Sequence, residues 1–116
     1  MPASPASNPG PLRPAVYHIL LALQGGDRHG LGIADEIEQA SDGTVELGPG
    51  TLYRSLSEMT EARLIVPIRA PGRDADPRRK YYRITKEGRD VLTQETARLS
   101  RLVEAARARG VLAEQG

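Results

Sequence analysis

The stretch from Thr85 to about Arg109 constrains this chain most. Leu92, Thr96, Leu99, Val103 and Ala106 recur by fours and threes, and Leu102 broadens the stripe. That spacing predicts one face of a helix. Thr85 suits its N-cap, Glu87 falls in the first turn where the helix dipole favours an acid, and Gly110 stops it. At 1.5 Å per residue, about twenty-five residues reach beyond the core that a single small domain can build. The seam therefore asks for a second subunit, and Leu92, Thr96, Leu99, Leu102, Val103 and Ala106 are its expected dimerisation residues.

Upstream, the chain divides into short pieces. Residues 1–11 hold four Pro and small residues, a composition expected to stay disordered. Val16, Ile19, Leu20 and Leu23 predict a helix from Pro14 to Gln24, closed by Gly25-Gly26. Ile33, Ala34, Ile37 and Ala40 predict a second from about His29 to Ala40, with His29 at its start as a cap or a phosphate contact. Asp42-Gly43 makes a turn, and the alternation Thr44-Val45-Glu46-Leu47 suggests a short strand. A third helix opens at Pro49 behind Gly48, with Leu52, Leu56 and Met59 inward.

Leu64 to Ile68 reads as a strand that Pro67 demotes to an edge. Lys80 to Ile84 returns as its partner, with Tyr82 and Ile84 on one face and Tyr81 and Arg83 on the other. The loop between them, about eight to ten residues, is longer than most hairpin loops, a length often tied to function.

Net charge is only +1, but it is unevenly placed. Asp27 to Glu46 holds one base and six acids, a balance of −5; Arg63 to Arg89 holds nine bases and three acids, +6. A basic third can dock on phosphate even in a near-neutral chain; the alternative is an edge strand kept charged against aggregation. On the third helix the exposed face carries Gly50, Arg54 and Ser57 at its N-terminal end, with Thr51 and Tyr53 on the flanks, whereas Glu58 and Glu61 make the later half acidic. Glycine at 50 permits close backbone approach, Thr51 and Tyr53 hydroxyls can bond phosphate oxygens, and Arg54 can read a guanine edge. Arg73, Arg78, Arg79 and Lys80 crowd the hairpin. The fold class expected is mainly α with a small β-hairpin: a winged helix-turn-helix over residues 12–84 and a long C-terminal dimerisation helix over 85–110. The partner expected is a double-stranded DNA operator; the alternative is a winged helix used only for protein contact.

Other classes find little support. The chain has no Cys, which excludes disulfides and thiolate metal sites and fits the cytoplasm. Two His residues without partners make a metal site improbable, and no cofactor motif is present. No Ser-His-acid grouping or phosphate loop suggests an enzyme. The N-terminus lacks the pattern of a secretory signal, and the longest apolar run, Ile19 to Leu23, is too short for a bilayer. Val16, Tyr17 and Leu20, with the apolar side of the last helix, are candidates to line a small-molecule effector site, because they meet where a dimer would form.

The chain resembles PadR-like transcriptional regulators. The matching pieces are Pro14-Ala15-Val16-Tyr17-His18-Ile19-Leu20-Leu21-Ala22-Leu23, His29-Gly30, Gly50-Thr51-Leu52-Tyr53, Leu64-Ile65, and Arg79-Lys80-Tyr81-Tyr82-Arg83-Ile84-Thr85 with Gly88. The resemblance covers residues 12 to about 105 and implies a dimeric winged-helix repressor of the short subclass with a single C-terminal helix. It also implies a short inverted-repeat operator and an effector near the dimer interface. Two departures stand out. Arg63 replaces a Gly that the family usually has at the end of the third helix, and Leu31 replaces a frequent aromatic, which puts a phosphate contact there in doubt.

Overall fold

The computed structural model describes residues 11–112. The expected tail of residues 1–11 therefore lies, but for residue 11, outside the described residues. Four helices and three strands follow in the order α1 (Pro14–Gln24), β1 (Arg28–His29), α2 (Gly30–Ala40), α3 (Pro49–Glu61), β2 (Ile65–Ile68), β3 (Tyr81–Ile84) and α4 (Lys86–Ala108). The chain is mainly helical with a small antiparallel sheet, ordered β1-β3-β2. β2 is an edge strand, as Pro67 requires, because a residue without an N–H cannot serve a central ladder.

Helix α1 lies at the centre and packs on α2, α3, α4 and β3. Its apolar stripe, with Ile19 and Leu20 fully enclosed, meets Ile33 and Ile37 of α2, Leu52, Leu56 and Met59 of α3, and Val91 and Leu92 of α4 in one core. Leu, Ile and Val dominate that core, and Tyr82 is its one aromatic member among the described residues, with Tyr17 packed partly buried against it.

Two expectations change here. Thr44–Leu47 forms no strand. The Ser41 hydroxyl accepts the Val45 N–H at 3.0 Å, and the Thr44 N–H donates to the Ser41 carbonyl at 3.1 Å. These bonds satisfy locally what a partner strand would otherwise supply, while Val45 and Leu47 tuck partly against the core. The third strand is instead Arg28–His29, paired through Arg28 with Tyr82 and His29 with Tyr81. β1 also covers one side of Tyr81. Tyr81 is therefore buried like Tyr82 despite pointing to the opposite face.

The end of α3 explains the Arg63 departure. Arg63 N–H donates to the Thr60 carbonyl at 3.0 Å and Leu64 N–H to the Met59 carbonyl at 2.9 Å, the paired bonds of a Schellman stop. That stop needs a left-handed residue, and Arg63 has φ 63°. A side chain there costs roughly 1–2 kcal/mol. Glycine removes that cost but gives back part of it as freedom in the unfolded chain. Arg63→Gly is thus expected to stabilise the protein by about 0.5–1 kcal/mol, read as a rise of a few degrees in melting temperature.

Thr85 starts α4 and ties it to the same junction. Its Oγ1 accepts the Gly88 N–H at 3.0 Å and donates to the Arg63 carbonyl at 2.7 Å. Farther along α4, Glu95 is 4% exposed, because it lies three residues after Leu92 and four before Leu99, on the stripe that faces the core. It accepts the Leu12 backbone N–H at 3.2 Å and both Nε and Nη2 of Arg98, at 2.8 and 2.7 Å. The hydrogen bonds from Arg98, and less strongly the one from Leu12, hold its carboxyl below the ordinary value of 4.5. A depressed folded-state pKa stabilises the fold above the unfolded value and loses that contribution as pH falls through the folded one. Glu95→Gln is therefore expected to lower the melting temperature at neutral pH and to narrow the drop between neutral pH and pH values below 4.5. Parallel melts of the two proteins across that range check it.

Candidate nucleic-acid interface

The first turns of α3 stand open. Gly50, Thr51, Tyr53, Arg54 and Ser57 are all exposed, while Leu52, Ser55 and Leu56 face inward. Gly48 caps the helix with an extended backbone and no side-chain bond, so the first N–H groups stay available to an anion. Tyr53 is 51% exposed, and its position is set from below. A Cβ built on Gly30 would come within 2.7 Å of Tyr53 Oη. The bare backbone at the start of α2 is thus the shelf over which the hydroxyl end of the phenol rests, leaving the residue half exposed.

His29 takes the capping role. Its Nδ1 accepts the Gly32 N–H at 3.0 Å, and its ring meets Tyr81 edge-on at 5.3 Å. Arg83 is held in a two-pronged pair with Asp27, Nη2 to Oδ2 at 2.8 Å and Nε to Oδ1 at 3.2 Å. That pair fastens β3 to the segment before β1. Glu58 pairs with Arg13, which offsets its charge, so less repulsion falls on an approaching phosphate than its position on α3 suggested.

Between α3 and the hairpin runs an open cleft of about 400 Å³, lined by Tyr53, Ser57, Thr60, Glu61, Pro67, Lys80 and Tyr82. A smaller recess of about 160 Å³ continues it past Tyr53, Lys80 and Tyr82 to His29, Gly30 and Arg79. Tyr82 is 8% exposed, yet lines both. Burial, and secondarily Tyr53, pushes its phenol pKa up, so the hydroxyl remains a donor. Its place in the cleft depends on how the hairpin packs on α3, and strand alternation alone carries no signal of it. Of the expected wing bases, Lys80 and Arg79 reach this cleft, whereas Arg73 and Arg78 lie exposed beyond its lining.

The remaining expected residues fall unevenly. Leu92 is buried in the chain's own core and is not available to a partner. Thr96 Oγ1 sits 2.9 Å from Tyr17 Oη, Leu99 and Ala106 are partly covered, and Leu102 and Val103 are 54% and 44% exposed. Val16 and Leu20 are enclosed at 7% and 0%, because the stripe that would line an effector site is the one that closes the core. Only Tyr17 of those three turns a polar group toward α4. Among the described residues no cluster of His, Cys, Asp or Glu could hold a metal ion, and no helix is long and apolar enough to cross a membrane.

Two short helices, a third with an open polar start, and a basic hairpin packed beside it define a winged helix-turn-helix. Residues 19–94 match the "Transcriptional regulator PadR-like family", and the chain belongs to that family. It is 34% identical over 84 residues to an uncharacterised 37.1 kDa protein in transposon TN4556 of Streptomyces fradiae; the match takes in 72% of this chain but spans only 22% of that relative. The crystal structure of a PadR family transcription regulator from hypervirulent Clostridium difficile R20291 is 26% identical with a TM-score of 0.68, covering 81% of this chain and 95% of that one. Bacillus subtilis PadR in complex with operator DNA shares the fold at 22% identity and a TM-score of 0.60, over 71% of this chain and 46% of that one.

Proposed function

We propose that this regulator is a dimeric, sequence-specific DNA-binding repressor acting in the cytoplasm, with residues 12–84 as the reading unit and residues 85–110 as the dimerisation helix. The observation that carries this reading is the shared cleft. Tyr53 from α3 and Lys80 from the hairpin face each other across it, with Tyr82 at its floor and Arg79 at its end. A cation and two phenol donors in one groove beside an open helix start suit a DNA phosphate, while Arg54 is left to the base edges. That the Bacillus subtilis relative was crystallised on operator DNA supports the reading. An effector that releases DNA would act through Tyr17 and the exposed side of α4.

The test is a gel shift against duplex DNA from upstream of the chain's own coding region, searched first for an inverted repeat. Binding is expected to weaken steeply with salt. Arg54→Ala is expected to erase roughly tenfold to hundredfold of base preference at one position, the equivalent of about 1–3 kcal/mol. A protein that binds no duplex even at low salt would instead favour a winged helix serving protein contact.

A further inference from the structure

The hairpin loop contains a carboxylate placed against its own bases. Asp76 Oδ1 accepts the Arg78 backbone N–H at 2.9 Å and Arg78 Nε at 3.2 Å, and Oδ2 accepts Arg78 Nη2 at 3.3 Å. Arg79 Nε lies 3.6 Å from the same Oδ2. The Asp76 backbone N–H, in turn, donates to Tyr81 Oη at 2.9 Å, which anchors the residue to β3. Two of the four bases at the proposed wing therefore converge on one anion while the Arg78 side chain remains 89% exposed. The geometry is that of guanidinium groups around a phosphate oxygen pair.

We propose that Asp76 is an internal competitor for DNA phosphate: it occupies Arg78 and Arg79 in the free protein and so lowers sequence-independent affinity for DNA. This rests on the reading of the hairpin as a DNA-contacting wing. The Arg78 side chain and backbone N–H hold the Asp76 carboxyl below its ordinary value, so the competitor is charged at neutral pH. A phosphate that recruits the arginines must displace it, and the displaced carboxylate then faces the duplex. Weak non-specific binding is itself useful, because selectivity is set by the ratio of specific to non-specific affinity across many competing sites. Asp76 does not touch a base, and acts by restraining the residues that hold the backbone.

Asparagine separates the two roles of the side chain. Its Oδ1 still accepts the Arg78 N–H and keeps the turn, but it carries no charge. Glutamate keeps the charge and misplaces the turn acceptor. Fluorescence anisotropy on a random-sequence duplex of about 25 base pairs, titrated between about 50 and 200 mM salt, reads both variants. Asp76→Asn is expected to tighten binding roughly fivefold to tenfold at the low-salt end and to steepen the log–log salt slope by about one. Asp76→Glu is expected to give no gain. An Asp76→Asn protein that binds no tighter, or with an unchanged slope, overturns the proposal and leaves Asp76 as a turn residue. Arg79→Ala combined with Lys80→Ala, measured on the same duplex, is expected to weaken binding. No effect of that pair would remove the wing reading itself, and the competitor with it.

Discussion

Gly88→Ala is expected to unfold the protein or to lower its melting temperature by more than about 10 °C, although alanine is the better helix former. The added Cβ would lie 2.1 Å from the Leu64 carbonyl oxygen and 2.9 Å from Ile84 Cγ1. The first of these is backbone, and it already accepts the Thr85 N–H at 3.0 Å, so it cannot turn aside without breaking the junction that starts α4. Alanine's propensity gain is about 1 kcal/mol; forcing apart a closed core costs about 1–3 kcal/mol and more where backbone must shift. The clash wins. Circular dichroism melts decide the matter, and a variant as stable as the parent would mean that α4 can slide away from Leu64 without penalty.

The second large effect concerns the proposed dimer. Leu102 and Val103 are the most exposed apolar residues of the α4 seam. Replacing both by Gln changes no charge and removes no contact from the chain's own core. Monomer stability is therefore expected to hold within about 0.5 kcal/mol. Burying each side chain at an interface is worth up to about 1.5–3 kcal/mol, and a twofold axis doubles every substitution. Leu102→Gln with Val103→Gln is expected to halve the mass seen in sedimentation and to weaken binding to a two-half-site operator by roughly 10²–10⁴, because the second half-site is no longer reached within one assembly. Unchanged mass and unchanged affinity would exclude this seam as the dimer contact.

Local signals were the most legible. The spacing of Val16, Ile19, Leu20 and Leu23 places the inner face of α1 correctly, and Pro67 correctly marks an edge strand. Thr85 is recognisable as a cap because capping acts over three residues. Arg63 stands out only against the glycine usual in the resembling family, and it does adopt the left-handed backbone. What stayed hidden depends on residues far apart in the chain. Arg28–His29 lacks any strand-like alternation and becomes a strand only because β3 lies beside it. The Leu12 N–H that meets the Glu95 carboxylate lies 83 residues away, so no local spacing shows the bond. Thr44–Leu47 alternates like a strand, but Ser41 satisfies its backbone first. At the candidate site, helical rotation separates Thr51, Tyr53 and Arg54 from Leu52 and Leu56. No periodicity shows that Gly30 carries Tyr53, that Tyr82 floors the cleft, or that Arg13 takes up Glu58.

The pairing of β1 with β3 also sets an order of events. Arg28 finds Tyr82, and His29 finds Tyr81, only after the intervening chain has been made and brought round. Closing so long a loop is slow compared with forming a helix. Helices α1 to α3 can thus gather on their shared apolar face while the chain is still growing, but the hairpin cannot be fastened beside them until residues past Ile84 have emerged. A nascent chain halted before that point would own its recognition-type helix and lack the cations that would hold a phosphate next to it. If the hairpin is the DNA-contacting wing proposed above, the grip on DNA is among the last properties the protein acquires.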